Sequence, residues 1–271
     1  MSLRKRVFVN EGQLKHPLGW GDDALSHFFK ASTQNEFATF VHTPGWHKAF
    51  SAIAEDLASC TQYAINSLLS AKDPAARSLF MVAHNQYLAA ARLASSGQCL
   101  TVYPLGRAVV ESALYGWYLS ADETAAARWH DKPTDKKRRS DWGREFTFSF
   151  LATKLELANA DRAKWARWLH QTAIDFGAHP NKEALYANMD HVRDPEGKSM
   201  LQVKFLQSWN QAALLANKFV IETGIFALGQ FALSFPETEP ALKISGAAAK
   251  HAMTLHALIQ KASSIMGKRV D

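Results

Sequence analysis

The chain has 271 residues, of which 47% are hydrophobic and 21% are charged, and these proportions are ordinary for a soluble globular protein. Its formal charge of +6 permits an anionic partner but does not require one, because several of the basic residues lie together in one loop. The two cysteines, Cys60 and Cys99, exclude a disulfide framework and a cysteine-based metal site, and we expect both to be free, buried thiols in a reducing compartment.

The chain carries no pattern typical of secretion or of membrane insertion. Residues 1–21 are predicted to form an irregular N-terminal segment, and no apolar stretch of signal-peptide length follows the basic start. The most apolar stretch, 219–235, contains Glu222 and Gln230 and is shorter than the roughly 20 residues that span a bilayer. We therefore expect a buried core helix there, and a cytoplasmic protein that does not enter a membrane.

From residue 22 onward, apolar residues recur at intervals of three and four, which is the pattern of helices packed on a core. Thr43-Pro44 and Asp73-Pro74 are typical helix starts, in which a capping side chain precedes a proline at the first helical position. The predicted helices cover about 22–41, 44–68, 74–95, 100–120, 122–132, 135–159, 161–177, 205–233 and 239–266.

Residues 181–203 are the least helical part of the chain. Asp194-Pro195-Glu196-Gly197 is a turn signature, and its flanks, 190–193 and 199–203, can pair as strands. We expect a small irregular or hairpin insertion near 185–203. The sequence as a whole predicts an all-α protein with one helical domain over 22–271, arranged as an up-and-down helical bundle with additional packed helices.

The predicted helix 100–120 is apolar on nearly every side, yet Arg107 and Glu111 lie one turn apart in its middle. Their apolar neighbours predict a buried polar cluster rather than a solvated face. A buried ion pair of this kind is commonly a structural clamp between helices. The other interpretation is that Arg107 presents its guanidinium to an anion or carboxylate in a pocket. The sequence leaves both open.

A second candidate lies where the helix over 161–177 ends. Asp175 and His179 flank a Phe-Gly-Ala turn, and Pro180 follows directly. A histidine beyond a helix C-terminus is favoured in its charged form. The turn is either a simple helix stop with a partly exposed His179, or it directs His179 toward Arg107 and Glu111 with Asp175 as its orienting carboxylate.

The run Arg107-Ala-Val-Val-Glu111, continuing through SALYGWYLSADETAAARW, together with His179-Pro180, resembles a group of all-helical bacterial proteins. The domain-of-unknown-function family 5677 is the one that it is most similar to, over roughly residues 75–190. The resemblance implies a helical fold and brings no established reaction with it.

Arg77 and His84 form a third candidate pair. Their spacing is similar to the loosest form of the Arg-x(4–6)-His motif of HEPN ribonucleases, which are helical and need no metal. Seven positions advance a helix by close to two turns, so both side chains point the same way, about 10 Å apart. In that chemistry Arg77 would stabilise the pentavalent phosphate and His84 would act as acid or base.

The fourth candidate is the basic run Lys136, Lys137, Arg138 and Arg139, flanked by Trp129 and Trp142. It could track the phosphate backbone of a nucleic acid, although such a run is more often a solvated loop. We find no metal-ligand spacing, no nucleophile elbow and no complete phosphate-binding loop, and we expect neither a metal nor a cofactor.

These patterns favour a non-catalytic binding or interaction module, in which Arg107, Glu111, Asp175 and His179 hold the bundle together or receive a small polar or anionic ligand. The alternative is a HEPN-like, metal-independent ribonuclease that uses Arg77 and His84 as a toxin or defence effector with RNA as its partner. A homodimer is compatible with either function, since the long apolar helix 205–233 could pack inside one chain or between two.

Overall fold

The computed structural model describes residues 19–66, 68, 74–179, 182–186 and 188–266. Within them the fold is all-α, as predicted, with twelve α-helices and a single two-stranded hairpin. The helices are α1 (Ala24–His42), α2 (Pro44–Asn66), α3 (Pro74–Ser95), α4 (Val102–Ala121), α5 (Glu123–His130), α6 (Lys136–Glu145), α7 (Phe148–Ala158), α8 (Ala160–Ala173), α9 (Lys182–Tyr186), α10 (Gln211–Ser234), α11 (Glu239–Leu242) and α12 (Ile244–Met266).

Helix α4 lies at the centre and packs against both α3 and α10, which also contact each other. Val109, Val110 and Ala113 are completely buried on its inner faces. Helix α2 packs against both α3 and α10, α12 packs against α10, and α7 and α8 cover another face of α4. Gly106 lets α10 approach closely, because a side chain at this position would collide with the ring of Phe219. Most faces of α4 are therefore occupied by other helices.

Helix α10 is apolar on all sides because it is surrounded. By length and composition it is, within the described residues, the one helix that could cross a membrane, but 78% of its most apolar stretch is buried inside the fold. This is the core helix predicted for 219–235. It begins at Gln211 rather than near residue 205, because the Asn210 side chain accepts the N-terminal hydrogen bond from the amide of Ala213 at 3.0 Å.

Two predicted helices are each broken in two. The helix expected over 135–159 stops at Glu145 and restarts at Phe148, where the hydroxyl of Thr147 caps α7 by accepting from the amide of Phe150. The helix expected over 239–266 is interrupted at Lys243, whose φ of 51° lies in the left-handed region. Each break turns the chain so that both halves pack on the core.

The predicted hairpin is present. Strands β1 (Met189–Arg193) and β2 (Ser199–Val203) pair antiparallel, with Met189 opposite Val203. The Asp194 carboxylate fixes the turn between them by accepting from the amides of Glu196 and Lys198. Of the irregular segment predicted for 1–21, residues 1–18 lie outside the described part of the chain, and residues 19–22 form a turn.

Candidate functional site

Arg107 and Glu111 lie one turn apart on the face of α4 that α3 and α10 leave open. Arg107 Nε donates to Glu111 Oε1 at 2.7 Å. Their side chains are 28% and 32% exposed, so the expectation of a buried pair is wrong and the pair is half-buried. Among the described elements, α8 and the turn after it lie against this face and leave part of both side chains accessible.

Two histidines complete the site, one at each end of the pair. His179 Nε2 lies 3.2 Å from Arg107 Nη1, and His170 Nε2 lies 3.1 Å from Glu111 Oε1. A guanidinium can only donate, so His179 accepts through Nε2 and its ring proton sits on Nδ1. The carboxylate of Glu111 can only accept when ionised, so His170 donates through Nε2. We call Arg107, Glu111, His170 and His179 the arginine cluster.

The turn that carries His179 is packed tightly against the start of α4. After α8 the chain makes a π-helical turn at Ile174–Ala178. The Phe176 ring stacks on the Tyr103 ring with 5.5 Å between centroids. A Cβ at Gly177, where φ is 158°, would lie 2.6 Å from the backbone oxygen of Leu100. Glycine therefore lets the turn approach α4 closely enough for His179 to reach Arg107.

His170 is held from a second direction by an aromatic ring. Its imidazole stacks on the ring of Phe148 in α7, with centroids 3.7 Å apart and planes inclined by 9°. Stacking fixes the plane of the imidazole ring. The hydrogen bond to Glu111 fixes the rotation of the ring within that plane. The carboxylate of Glu111 is thus oriented by donors from two different elements, α4 and α8.

The arginine cluster favours the ionised form of Glu111. Burial raises the pKa of this carboxyl, but the hydrogen bonds from His170 and Arg107 and their charges outweigh burial, and the pKa lies below its ordinary value of 4.5. A carboxyl whose pKa is lowered in the folded state contributes stability above its ordinary pKa, and this contribution is lost as the pH falls through the folded pKa.

Replacing Glu111 by glutamine should therefore remove part of the acid dependence of stability. We expect the Glu111→Gln variant to lose about 1–2 kcal/mol of unfolding free energy at neutral pH, since a hydrogen bond to a charged group is lost at a half-exposed site. The loss should shrink below pH 4.5, where the wild-type carboxyl also becomes neutral. Urea unfolding across this pH range measures it, and a constant difference at all pH values would contradict this account.

Asp175 does not orient His179, contrary to expectation. Its Oδ1 accepts from Gln171 Nε2 at 2.7 Å, and both side chains are exposed. The two residues lie four positions apart, so they meet along the outer side of the helix. The carboxylate that organises the cluster is Glu111, which reaches His179 through Arg107.

Arg77 and His84 lie in separate environments, both facing α2. The guanidinium of Arg77 lies between the rings of Tyr63 and Phe235, 4.8 and 4.9 Å from their centroids. His84 Nδ1 lies 2.9 Å from the hydroxyl of Thr61. An arginine enclosed by two rings does not offer its charge to a phosphate, so this placement does not favour the ribonuclease hypothesis, which stays a prediction.

The basic run lies on a short exposed helix instead of a loop. Lys136, Lys137, Arg138 and Arg139 form the first turn of α6, all exposed. Arg138 Nε lies 3.7 Å from a carboxylate oxygen of Asp135, the residue that caps this helix. RNA binding by this run stays a prediction.

Sequence reasoning did not identify His170 and Phe148 as parts of the site. Arg107 and Glu111 are recognisable because four positions bring them together on any helix. His170, in contrast, lies 59 residues from Glu111 in the chain. Only the tertiary packing of α7 and α8 on α4 brings it there, and no local pattern reports that packing.

Among the described residues, no group of three or more His, Cys, Asp or Glu side chains could hold a metal ion. Comparisons with protein-family models, with curated proteins and with solved structures found no match to this chain.

Proposed function

We propose that the chain is a non-catalytic binding protein whose arginine cluster receives a small ligand that carries a carboxylate or another anionic group. The observation that supports this function is the partly exposed side chain of Arg107, whose guanidinium is held by Glu111 at Nε and by His179 at Nη1. Within the described part of the chain no side chain hydrogen-bonds to Nη2. In this proposal the anion binds at that nitrogen.

The two histidines support binding rather than proton transfer. His179 accepts from Arg107 and His170 donates to Glu111, so each imidazole orders a charged partner. A guanidinium whose direction is already fixed loses little conformational entropy when a planar carboxylate docks. In this proposal Glu111 and the histidines hold Arg107 as a clamp would, and Arg107 faces the ligand.

Binding can be tested by differential scanning fluorimetry with succinate and with inorganic phosphate as probes. For the wild-type protein we expect the Tm to rise with probe concentration and to saturate. The Arg107→Met variant should lose this rise. Arg167→Met is the matched control, because Arg167 forms a comparable ion pair with Glu156 at 2.6 Å on the neighbouring surface of α8 and α7. This control should keep the full response.

Two results would contradict the proposed function. In the first, neither succinate nor inorganic phosphate changes the Tm of the wild-type protein. In the second, Arg107→Met responds as the wild type does, which would show that the anions act through general ionic effects.

A further inference from the structure

Helix α1 is turned so that several of its polar residues face the protein, while three of its four phenylalanines face solvent. On the inner side, Asn35 Nδ2 donates to the backbone oxygen of Ser96 at 3.0 Å, and Thr39 Oγ1 donates to that of Ser95 at 2.8 Å. On the outer side, Phe37 is 66% exposed and Phe40 is 57% exposed. An amphipathic helix on the surface of a monomer normally has the opposite orientation.

The exposed rings border an apolar groove. It lies between α1, α2 and α3, with a volume of about 540 Å³. Its floor includes the small residues Ala54 and Ala91, and Leu88 rises from α3 on its far side, 44% exposed. Phe29 and Leu25 extend the apolar strip along α1 toward its first turn. We call this groove and strip the α1 face.

From this face we propose that a second copy of this chain covers it, with α1 of each copy packed in the groove of the other about a two-fold axis. Both halves of such an interface are present on one surface: Phe37 and Phe40 protrude, and the groove beside them is recessed over Ala54 and Ala91. A surface that carries matching protrusion and recess is self-complementary under two-fold symmetry.

The exposed apolar area suits a dimer. With roughly 150–250 Å² for each phenylalanine side chain, Phe29, Phe37 and Phe40 alone expose on the order of 300 Å² at their fractional exposures. The exposed parts of Leu25 and Leu88 bring this to on the order of 500 Å². A stable interface buries about 800 Å² on each partner, so this apolar strip would supply more than half of it.

The charges at the edge of the groove are also complementary to themselves. Glu36 and Arg92 both line it, and within one chain Arg92 Nε lies 3.0 Å from Glu36 Oε1. The Arg92 side chain is 72% exposed, which leaves its Nη groups accessible to a carboxylate of another chain. In a two-fold dimer, Arg92 of each copy would face Glu36 of the other, so the two pairs would add no net charge to the interface.

Sedimentation of the full-length chain tests the dimer. We expect the wild type to be a dimer and the Phe37→Glu and Leu88→Glu variants to be monomers with unchanged circular dichroism, since neither side chain is needed for the fold. Leu157→Glu is the control, because Leu157 is 82% exposed on α7, and this variant should remain dimeric. A monomeric wild type, or a dimer that survives both substitutions, would overturn the proposal.

A charge exchange distinguishes contacts between chains from contacts within one chain. Arg92→Glu places two acidic residues at the edge of the groove in each copy, and Glu36→Arg places two basic residues there. Each variant by itself should therefore dimerise less tightly, with a Kd at least tenfold higher than that of the wild type. Mixed in equal amounts, the two variants are complementary and should recover dimers. Failure of the mixture to recover would overturn the two-fold arrangement.

The same measurements identify another occupant. If the wild type is a monomer and removal of residues 1–18 makes it dimerise, that segment covers the face instead. The readout is oligomeric state, so this outcome is independent of anion binding by the arginine cluster.

Discussion

Replacing Lys218 by methionine should lower the free energy of unfolding by about 3 kcal/mol at neutral pH. Lys218 Nζ lies 3.3 Å from Glu222 Oε1 on α10, and both side chains are only 14% exposed. Glu222 Oε2 is buried without a hydrogen bond to any described residue. Without Lys218 the carboxylate would have no compensating charge, and urea unfolding measures the cost.

The pH dependence of this loss identifies Glu222 as its source. Burial raises the pKa of Glu222 above its ordinary value of 4.5, and Lys218 counteracts this only in part. A carboxyl with a raised folded pKa costs stability as the pH rises from its ordinary pKa toward the folded one. Removal of Lys218 raises the folded pKa further. The deficit should therefore be largest at neutral pH and should shrink toward pH 4.5.

Removing both charges should restore stability. A Lys218→Met/Glu222→Leu double variant is expected to match the wild type or to exceed it by about 1–4 kcal/mol, because the cost of dehydrating two charges disappears together with their attraction. Arg167→Met, which breaks an exposed ion pair, should cost less than about 1 kcal/mol and serves as the control. A double variant that is less stable than both the Lys218→Met and the Glu222→Leu single variants would contradict this interpretation.

Replacing Gly177 by alanine should destabilise the protein by about 1–3 kcal/mol and should separate His179 from Arg107. The added methyl group would lie 2.6 Å from the backbone oxygen of Leu100, in the turn that leads into α4. The turn at 174–178 must therefore move outward. Urea unfolding measures the loss of stability, and two-dimensional NMR of the histidine rings measures the change at His179.

Gly143→Ala provides the matched control for this substitution. Gly143 lies in α6, and a Cβ there would meet no atom within 4 Å. Alanine is the better helix former by about 1 kcal/mol, so this variant should be as stable as the wild type or more stable. A Gly177→Ala variant with unchanged stability and unchanged histidine resonances would show that the close approach to Leu100 does not position the turn.

The sequence predicts the features that depend on neighbours along the chain. The start of α2 at Pro44 follows from Thr43-Pro44, and the hairpin follows from the Asp194–Gly197 turn between two short strands. The proximity of Arg107 and Glu111 follows from the helical repeat alone. The sequence does not indicate the break at Thr147, because the apolar residues on both sides of it fit one continuous helical face.

The remaining features depend on which helices meet. Exposure of the arginine cluster could not be predicted, since the apolar neighbours of Arg107 face α3 and α10 while Arg107 itself faces the open side of α4. The outward orientation of Phe37 and Phe40 is unpredictable for a related reason: α1 is bound through polar contacts to the end of α3. Periodicity identifies an apolar face but not the direction in which that face is turned.

The central position of α10 has a consequence for the order of events during synthesis. Helices α2, α3 and α4 emerge from the ribosome well before residues 211–234, yet α10 fills the space among them. Until α10 arrives, the apolar surfaces that it later covers remain exposed, and such surfaces favour aggregation and recruit chaperones. The nascent chain should therefore resist proteolysis only after the ribosome has released α10.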